Sequence, residues 1–181
     1  MVLVLFLDVE GAFPNAVTAQ LIHNLNKRRI PTKIVNFVKN LLSNRCTKLR
    51  FDDYISDTIN ISNGIGQGDP LSMLLYIIYN ADLLDLPENP HSEDTIGYVD
   101  DIALVAIGND FNETTHRLYD MMSREDGGLQ WSKDHNSKFE VTKSAILHLT
   151  RRTMPDPDSD TGCIPLPKPA LTLENHVVQE V

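Results

Sequence analysis

The chain opens on six apolar residues, "VLVLFL", and the run stops at Asp8. A run this short predicts a buried strand, since a membrane span needs far more apolar length and a signal peptide needs a basic leader. Val17, Leu21 and Leu25 then recur at helical spacing until Pro31 interrupts. A second helix starts near Pro31 and carries Ile34, Val35, Val38, Leu41 and Leu42 on its apolar face. "CTKLRFDDYISDTINIS" alternates on both sides of "DDY", with Leu49 and Phe51 before it and Ile59 and Ile61 after, which predicts a hairpin. Gly64, Gly66 and Gly68 lead to Asp69 and Pro70, the N-cap and first turn of a long apolar helix. A second hairpin spans "DTIGYV" and "IALVAIG".

Asn112 is the expected N-cap of the next helix, which carries Leu118, Met121 and Met122 before Gly127 and Gly128 weaken it towards Trp131. "KFEVTKSAILHLT" alternates as a strand pair or one bent strand. Residues 151–169 are a Pro- and Asp-rich loop, and "ALTLENHVVQEV" begins like a strand. The order of elements predicts an α+β fold, an antiparallel sheet with helices packed on one face.

Length and composition, 181 residues with 41% apolar, suit one folded domain. Cys46 and Cys163 are too few and too far apart for a disulfide framework or a zinc site, so a reducing compartment is expected. The net charge of −9 argues against a nucleic-acid binder if taken globally. Its distribution argues otherwise. Residues 1–50 hold 8 basic and 2 acidic side chains, a balance of +6, and the rest hold 8 and 23, a balance of −15. A basic lobe can still touch phosphate, although a solvated helix end is the commoner meaning of "NKRRIP".

"GYVDDIALVAIG" sets Asp100 and Asp101 side by side in a strand-forming run. Burying a carboxylate costs several kcal/mol unless it is compensated, so water or a cation must be near. The plain reading is a hairpin whose tip is Asp-Asp. Asp8 ends the first strand in a similar way, and a strand-end cap is its plain reading. If strand and hairpin are neighbours, three carboxylates meet at one sheet edge, where they would repel one another without a cation. An all-oxygen cluster suits Mg²⁺ or Mn²⁺, and two such ions about 4 Å apart form a clamp for in-line phosphoryl transfer. "GIGQGDPLS" adds a backbone that a ligand can approach closely, Gln67 as donor and acceptor, and a helix N-terminus that favours an anion.

"LFLDVEGAF", "GIGQGDPLS" and "YVDD", in this order and spacing, resemble motifs A, B and C of the reverse transcriptase palm. The resemblance covers roughly residues 2–150 and is nearest to non-LTR (LINE-type) retrotransposon polymerases, with "EGAFPNAV" and "WSKDHNSKFEVTKS" suggesting fungal elements. It implies a polymerase palm at residues 1–150, followed at 151–181 by a Pro/Asp-rich loop and a truncated C-terminal strand. The implied activity is RNA-directed DNA synthesis with two Mg²⁺, or Mn²⁺, on an RNA template, a DNA primer and dNTPs. Asp8, the Val9 carbonyl, Asp100 and Asp101 look like the metal ligands. Phe13 matches a steric gate against a ribonucleotide 2′-OH, a discrimination made by ring size, with ordinary core as its rival reading. A polar residue there would be typical of an RNA-templated RNA polymerase instead.

Gln67 and Gly68 match the loop against the incoming nucleotide and template base, with Leu71 and Leu74 as core. Lys143 looks like the motif D lysine, a general acid towards pyrophosphate, with Lys138 as competitor and a surface strand lysine as the plain description of either. The family's fingers and thumb are absent from the stretch, which fits a fragment of a longer parent. The expected setting is intracellular, nucleus or cytoplasm, without a membrane. The alternative is a catalytically inactive remnant of a decayed element.

Overall fold

The computed structural model describes residues 1–158 and 161–181. Strand β1 (Val2–Leu7) leads through a single turn, α1 (Ala12–Asn15), into α2 (Thr18–Lys27) and α3 (Thr32–Leu42). A long hairpin follows, made of β2 (Arg45–Thr47), β3 (Arg50–Phe51), β4 (Tyr54–Ile55) and β5 (Ile59–Ile61), with β2 on β5 and β3 on β4. Helix α4 (Pro70–Tyr79) runs into a 3₁₀ turn (Ala81–Asp85) and the hairpin of β6 (Glu93–Tyr98) and β7 (Asp101–Ile107). Helices α5 (Phe111–Ser123) and α6 (Gly128–Asp134) precede β8 (Ala145–Leu149). The remaining pieces are β9 (Thr153–Pro155), β10 (Cys163–Pro165), β11 (Thr172–Leu173), β12 (His176–Val177) and β13 (Gln179–Glu180).

One five-stranded sheet, ordered β13-β8-β1-β7-β6, organises the chain. Its pairs are antiparallel except β13 on β8, which is parallel. The fold is therefore the expected α+β, with an antiparallel-dominated sheet. Side chains alternate across a strand, and Leu3, Leu5 and Leu7 of β1 point with Ile102, Leu104 and Ala106 of β7 into the core. The opposite face keeps Phe6, Ile96, Tyr98, Ile107 and Leu149 exposed. Helices thus cover one face only.

Several local expectations need correction. Asp110, not Asn112, caps α5: its carboxylate accepts from the Glu113 N–H, while Glu113 reaches back to the Asn109 N–H, a reciprocal box. Asn112 lies inside the helix. "KFEVTKS" forms no regular strand. It makes one isolated bridge, Phe139 to Val9, and only Ala145–Leu149 is a strand. In α3 the apolar face is half covered, with Val35, Val38 and Leu42 buried but Ile34 and Leu41 exposed. Leu74 is 58% exposed rather than core, whereas Leu71 packs against the core. The loop expected at residues 151–169 contains β9 paired with β10, and its Ser159 and Asp160 lie outside the described residues.

A buried polar knot joins three helices beneath the sheet. Asn24 of α2 donates to the Tyr79 carbonyl at 2.9 Å and lies 3.3 Å from His135 Nε2. His135 Nδ1 sits 3.0 Å from the Trp131 carbonyl, so Nδ1 carries the proton and Nε2 accepts from the Asn24 amide. The Tyr79 hydroxyl accepts from the Val17 N–H and donates to the His135 carbonyl. The Asn24–Nε2 bond requires a neutral imidazole. A second proton would set Nε2–H against the amide N–H₂.

Burial pushes His135 below the ordinary histidine value, and burial also lowers His148. A depressed folded-state pKa means that the unfolded chain takes up the proton first, so stability is complete above about pH 6.5 and falls as pH drops through the folded values. Urea midpoints measured from pH 8 to pH 5 are therefore expected to decline below about pH 6.5. Asn24→Ala should lower the midpoint at every pH, by about 1–3 kcal/mol of lost buried bonding.

Candidate functional site

The β1–β7 register runs from Val2↔Ile107 to Leu7↔Ile102. Continued by one residue, it sets Asp8 opposite Asp101. Both then belong to the open face, because Phe6 and Ala103 one step earlier are partners on that face. Asp101 lines a shallow groove of about 270 Å³ there with Phe6, Ile96, Tyr98 and Ala103. Tyr98 pairs with Asp101, so the hairpin tip is Val99–Asp100 and not Asp-Asp. The charges are split. Asp101 opens the strand, and Asp100 sits in the turn, partly buried.

The turn is strained and held. Val99 has φ of 58°, a left-handed conformation that a β-branched residue adopts only at a cost of about 1–3 kcal/mol. Its carbonyl accepts a hydrogen bond from the amide of Asn80, the buried residue that caps the end of α4. The Val99 side chain also packs against the core.

The Asp8 segment is held from the other side. Glu140 N–H donates to the Asp8 carbonyl and Glu10 N–H to the Lys138 carbonyl, each at 2.9 Å. Neither bond uses the Val9 carbonyl. Of the two candidate lysines, Lys143 places Nζ 3.5 Å from Asp8 Oδ2. Lys138 contributes its backbone carbonyl. The Lys143–Asp8 pair is solvent-exposed on both sides, so it adds at most about 1 kcal/mol to stability.

The glycine loop docks on the turn that carries Phe13. Gly64 N–H donates to the Ala16 carbonyl at 2.7 Å and Ile65 N–H to the Phe13 carbonyl at 2.8 Å. Gly64 has φ of 86°, and a Cβ there would lie 2.7 Å from the Pro14 carbonyl oxygen. Gln67 and Gly68 are exposed; Gly68 also has positive φ but open space around it. Asp69 caps α4 by accepting from the Leu71 N–H at 2.9 Å, with Pro70 in the first turn. Phe13, half-buried, stacks on Tyr76 of α4 with ring centroids 5.0 Å apart. Burial, then the neighbouring Tyr79 and Asp100, push the Tyr76 phenol far above its ordinary value, so it stays protonated.

The structure brings Asp8, Asp101 and Lys143 to one edge, with Asp100 in the adjoining turn. Among the described residues, no three His, Cys, Asp or Glu side chains are gathered closely enough to enclose a metal ion. The donor set itself, carboxylate oxygens partly exposed at one end of the sheet, fits a hard divalent cation. Asn80 and Tyr76 escaped the sequence reading. The only signal for Asn80 is an amide directly after an apolar helix, in "YIIYNADLL".

Residues 2–165 match the family described as reverse transcriptase (RNA-dependent DNA polymerase). The chain is 31% identical over 131 residues to the Pol polyprotein of a type-1 retrotransposable element R2 of Nasonia vitripennis, covering 68% of this chain and 12% of that one. It is 26% identical over 152 residues to the RNA-directed DNA polymerase of the Drosophila melanogaster mobile element jockey, covering 82% of this chain and 16% of that one. The chain thus spans less than a fifth of these relatives. In fold it resembles telomerase from Candida tropicalis, with a TM-score of 0.61 at 12% identity over 80% of this chain and 26% of that one.

Two glycine substitutions separate close approach from conformation. Gly64→Ala meets both the positive φ and the Pro14 oxygen, and should lower stability by about 1–3 kcal/mol or more in thermal melts. Gly68→Ala meets only the φ penalty and should cost about 1–2 kcal/mol.

Proposed function

The chain belongs to the reverse transcriptase (RNA-dependent DNA polymerase) family, and we propose that its strand-end carboxylates perform two-metal nucleotidyl transfer, adding dNTPs to a primer 3′-OH on an RNA template. The observation that carries this reading is the β1–β7 register, which ends at Leu7↔Ile102 and, continued by one residue, brings Asp8 opposite Asp101 on the open sheet face, with Asp100 in the adjoining turn. Asp8, Asp100 and Asp101, with the Val9 carbonyl, would hold two Mg²⁺ or Mn²⁺ ions. Bound there, such ions would supply activation of the attacking hydroxyl and stabilisation of the leaving pyrophosphate.

The remaining roles fall to named side chains. Lys143, drawn to Asp8 by charge, is the proton donor towards the pyrophosphate oxygen, with its Nζ as the acid. Phe13 presents its ring to the sugar and excludes a 2′-hydroxyl by size, which favours deoxynucleotides. Gln67 and Gly68 offer an amide and open backbone to the base side of the nucleotide. The template, primer and dNTPs are the substrates of the longer parent that also supplies fingers and thumb, working in the nucleus or cytoplasm. Among the described residues no helix is long and apolar enough to cross a membrane.

A second reading, a folded remnant without chemistry, draws on the ungathered carboxylates. Primer extension on a homopolymer template with Mn²⁺ decides between the two. Incorporation by the purified chain that Asp100→Asn and Asp8→Asn each reduce by at least about 10²-fold supports polymerase chemistry; the figure is the lower end for the loss of a single strong transition-state contact. Incorporation no greater than that of Asp100→Asn defeats independent activity.

A further inference from the structure

We propose that Tyr76 is a positioning residue for the Phe13 ring and thereby sets how strongly the site refuses a ribonucleotide; this rests on the reading of Phe13 as the residue that faces the sugar. Size exclusion by a ring works only if the ring cannot retreat. A phenylalanine turns about two side-chain bonds, so a gate needs a wall behind it.

Phe13 is fixed at its backbone and at its ring by different parts of the chain. The Ile65 N–H holds its carbonyl, and Gly64 packs against the next residue, Pro14. These contacts fix the backbone and do not by themselves hold the ring, which also packs against the core. The one aromatic contact of Phe13 among the described residues is the stack on Tyr76, at 5.0 Å and 29° between planes.

The wall behind the ring is itself closely packed. Tyr76 is wholly buried. Behind it Tyr79 follows at 5.7 Å, and Tyr79 meets His135 edge-on at 5.0 Å and Trp131 at 6.4 Å. Tyr79 is tied by its hydroxyl to Val17 and His135. Phe139 stacks on Trp131 at 5.8 Å and forms the bridge to Val9, next to Asp8. The column therefore starts at the gate and ends beside the first carboxylate. In a close-packed interior such a series has no slack.

Shortening Tyr76 opens a void directly behind Phe13. The ring can then swing back, and the space that excluded a hydroxyl becomes available to it. Selectivity should fall while general binding is kept, because nothing that touches phosphate or base has moved. The contact to Phe13 is made by the ring and not by the phenol oxygen, so a phenyl ring should serve as well.

The test is equilibrium binding of dGTP and rGTP, with Mn²⁺, to the 181-residue chain and its variants. The readout is the ratio of the two affinities, since damage to the fold weakens both nucleotides alike. Tyr76→Leu should reduce the preference for dGTP by roughly tenfold, the usual effect of a change in pocket size, and Tyr76→Phe should retain it. Where Tyr76→Leu fails to fold by circular dichroism, Tyr76→Met, nearer in length, takes its place. A folded Leu or Met variant with an unchanged ratio overturns the proposal, provided Phe13→Val lowers the ratio. An unchanged ratio in Phe13→Val, or no preference in the unaltered chain, overturns the gate reading and this proposal with it.

Discussion

The register between β1 and β7 is the constraint from which the site follows. Strand side chains repeat every two residues, so a slip by one would turn Leu3, Leu5 and Leu7 to the open face and Asp8 into the core. Each leucine contributes about 1.5–3 kcal/mol by its burial, and a buried unpaired carboxylate costs several more. The two penalties add, so the slipped pairing is excluded by many kcal/mol. Asp8 and Asp101 share a face because three leucines share the other. No attraction between the carboxylates is needed, and their mutual repulsion is too small to oppose it.

Helix α4 turns that edge into a shaped site. Its first turn, capped by Asp69, ends the glycine loop; its middle presents Tyr76 to Phe13; its last residue is followed by Asn80, which holds the Val99 carbonyl. Three regions far apart in sequence are thus referred to one rigid element ten residues long. The strained Val99 conformation persists because the Asn80 bond and the packing of the valine side chain together offset it. A relaxed two-residue turn would let the Asp100 carboxylate wander, and the tether to α4 prevents that.

What the sequence revealed and what it hid divide along physical lines. Strand β1, the two hairpins, helices α2, α3 and α5 and the Asp69–Pro70 start of α4 were legible because period and capping are local signals. Alternation cannot tell a turn at Asp100–Asp101 from one at Val99–Asp100, since a displacement of one residue changes which Asp leads the strand without altering the apolar positions nearby. Asp110 and Asn112 could each cap a helix; Glu113, three residues after Asp110, decides it by closing the box. Leu74, Ile34 and Leu41 look like core because periodicity reports an apolar face and not whether anything covers it. Tyr76 and Asn80 act on partners 63 and 19 residues away, and no window along the chain contains both ends of those contacts.

Charge shows the same limit. The first fifty residues read as a uniform basic lobe, yet the structure divides them. Lys27 and Arg28 are engaged with Asp82, and Arg28 also with Asp85, fastening the end of α2 to the 3₁₀ turn. Arg45 donates to the Leu42 and Asn63 carbonyls at the root of the long hairpin. These cations are committed to the fold, and an incoming phosphate would have to displace a carboxylate or a carbonyl to reach them. Arg29, in the turn before α3, and Lys33, Lys39, Lys48 and Arg50, along α3 and the hairpin, are exposed. Each phosphate neutralised by such a residue releases a counterion, so any affinity for a nucleic-acid backbone would draw its salt dependence from this second group. The +6 balance of the segment overstates its free positive charge, because part of it already holds α2 and the hairpin in place.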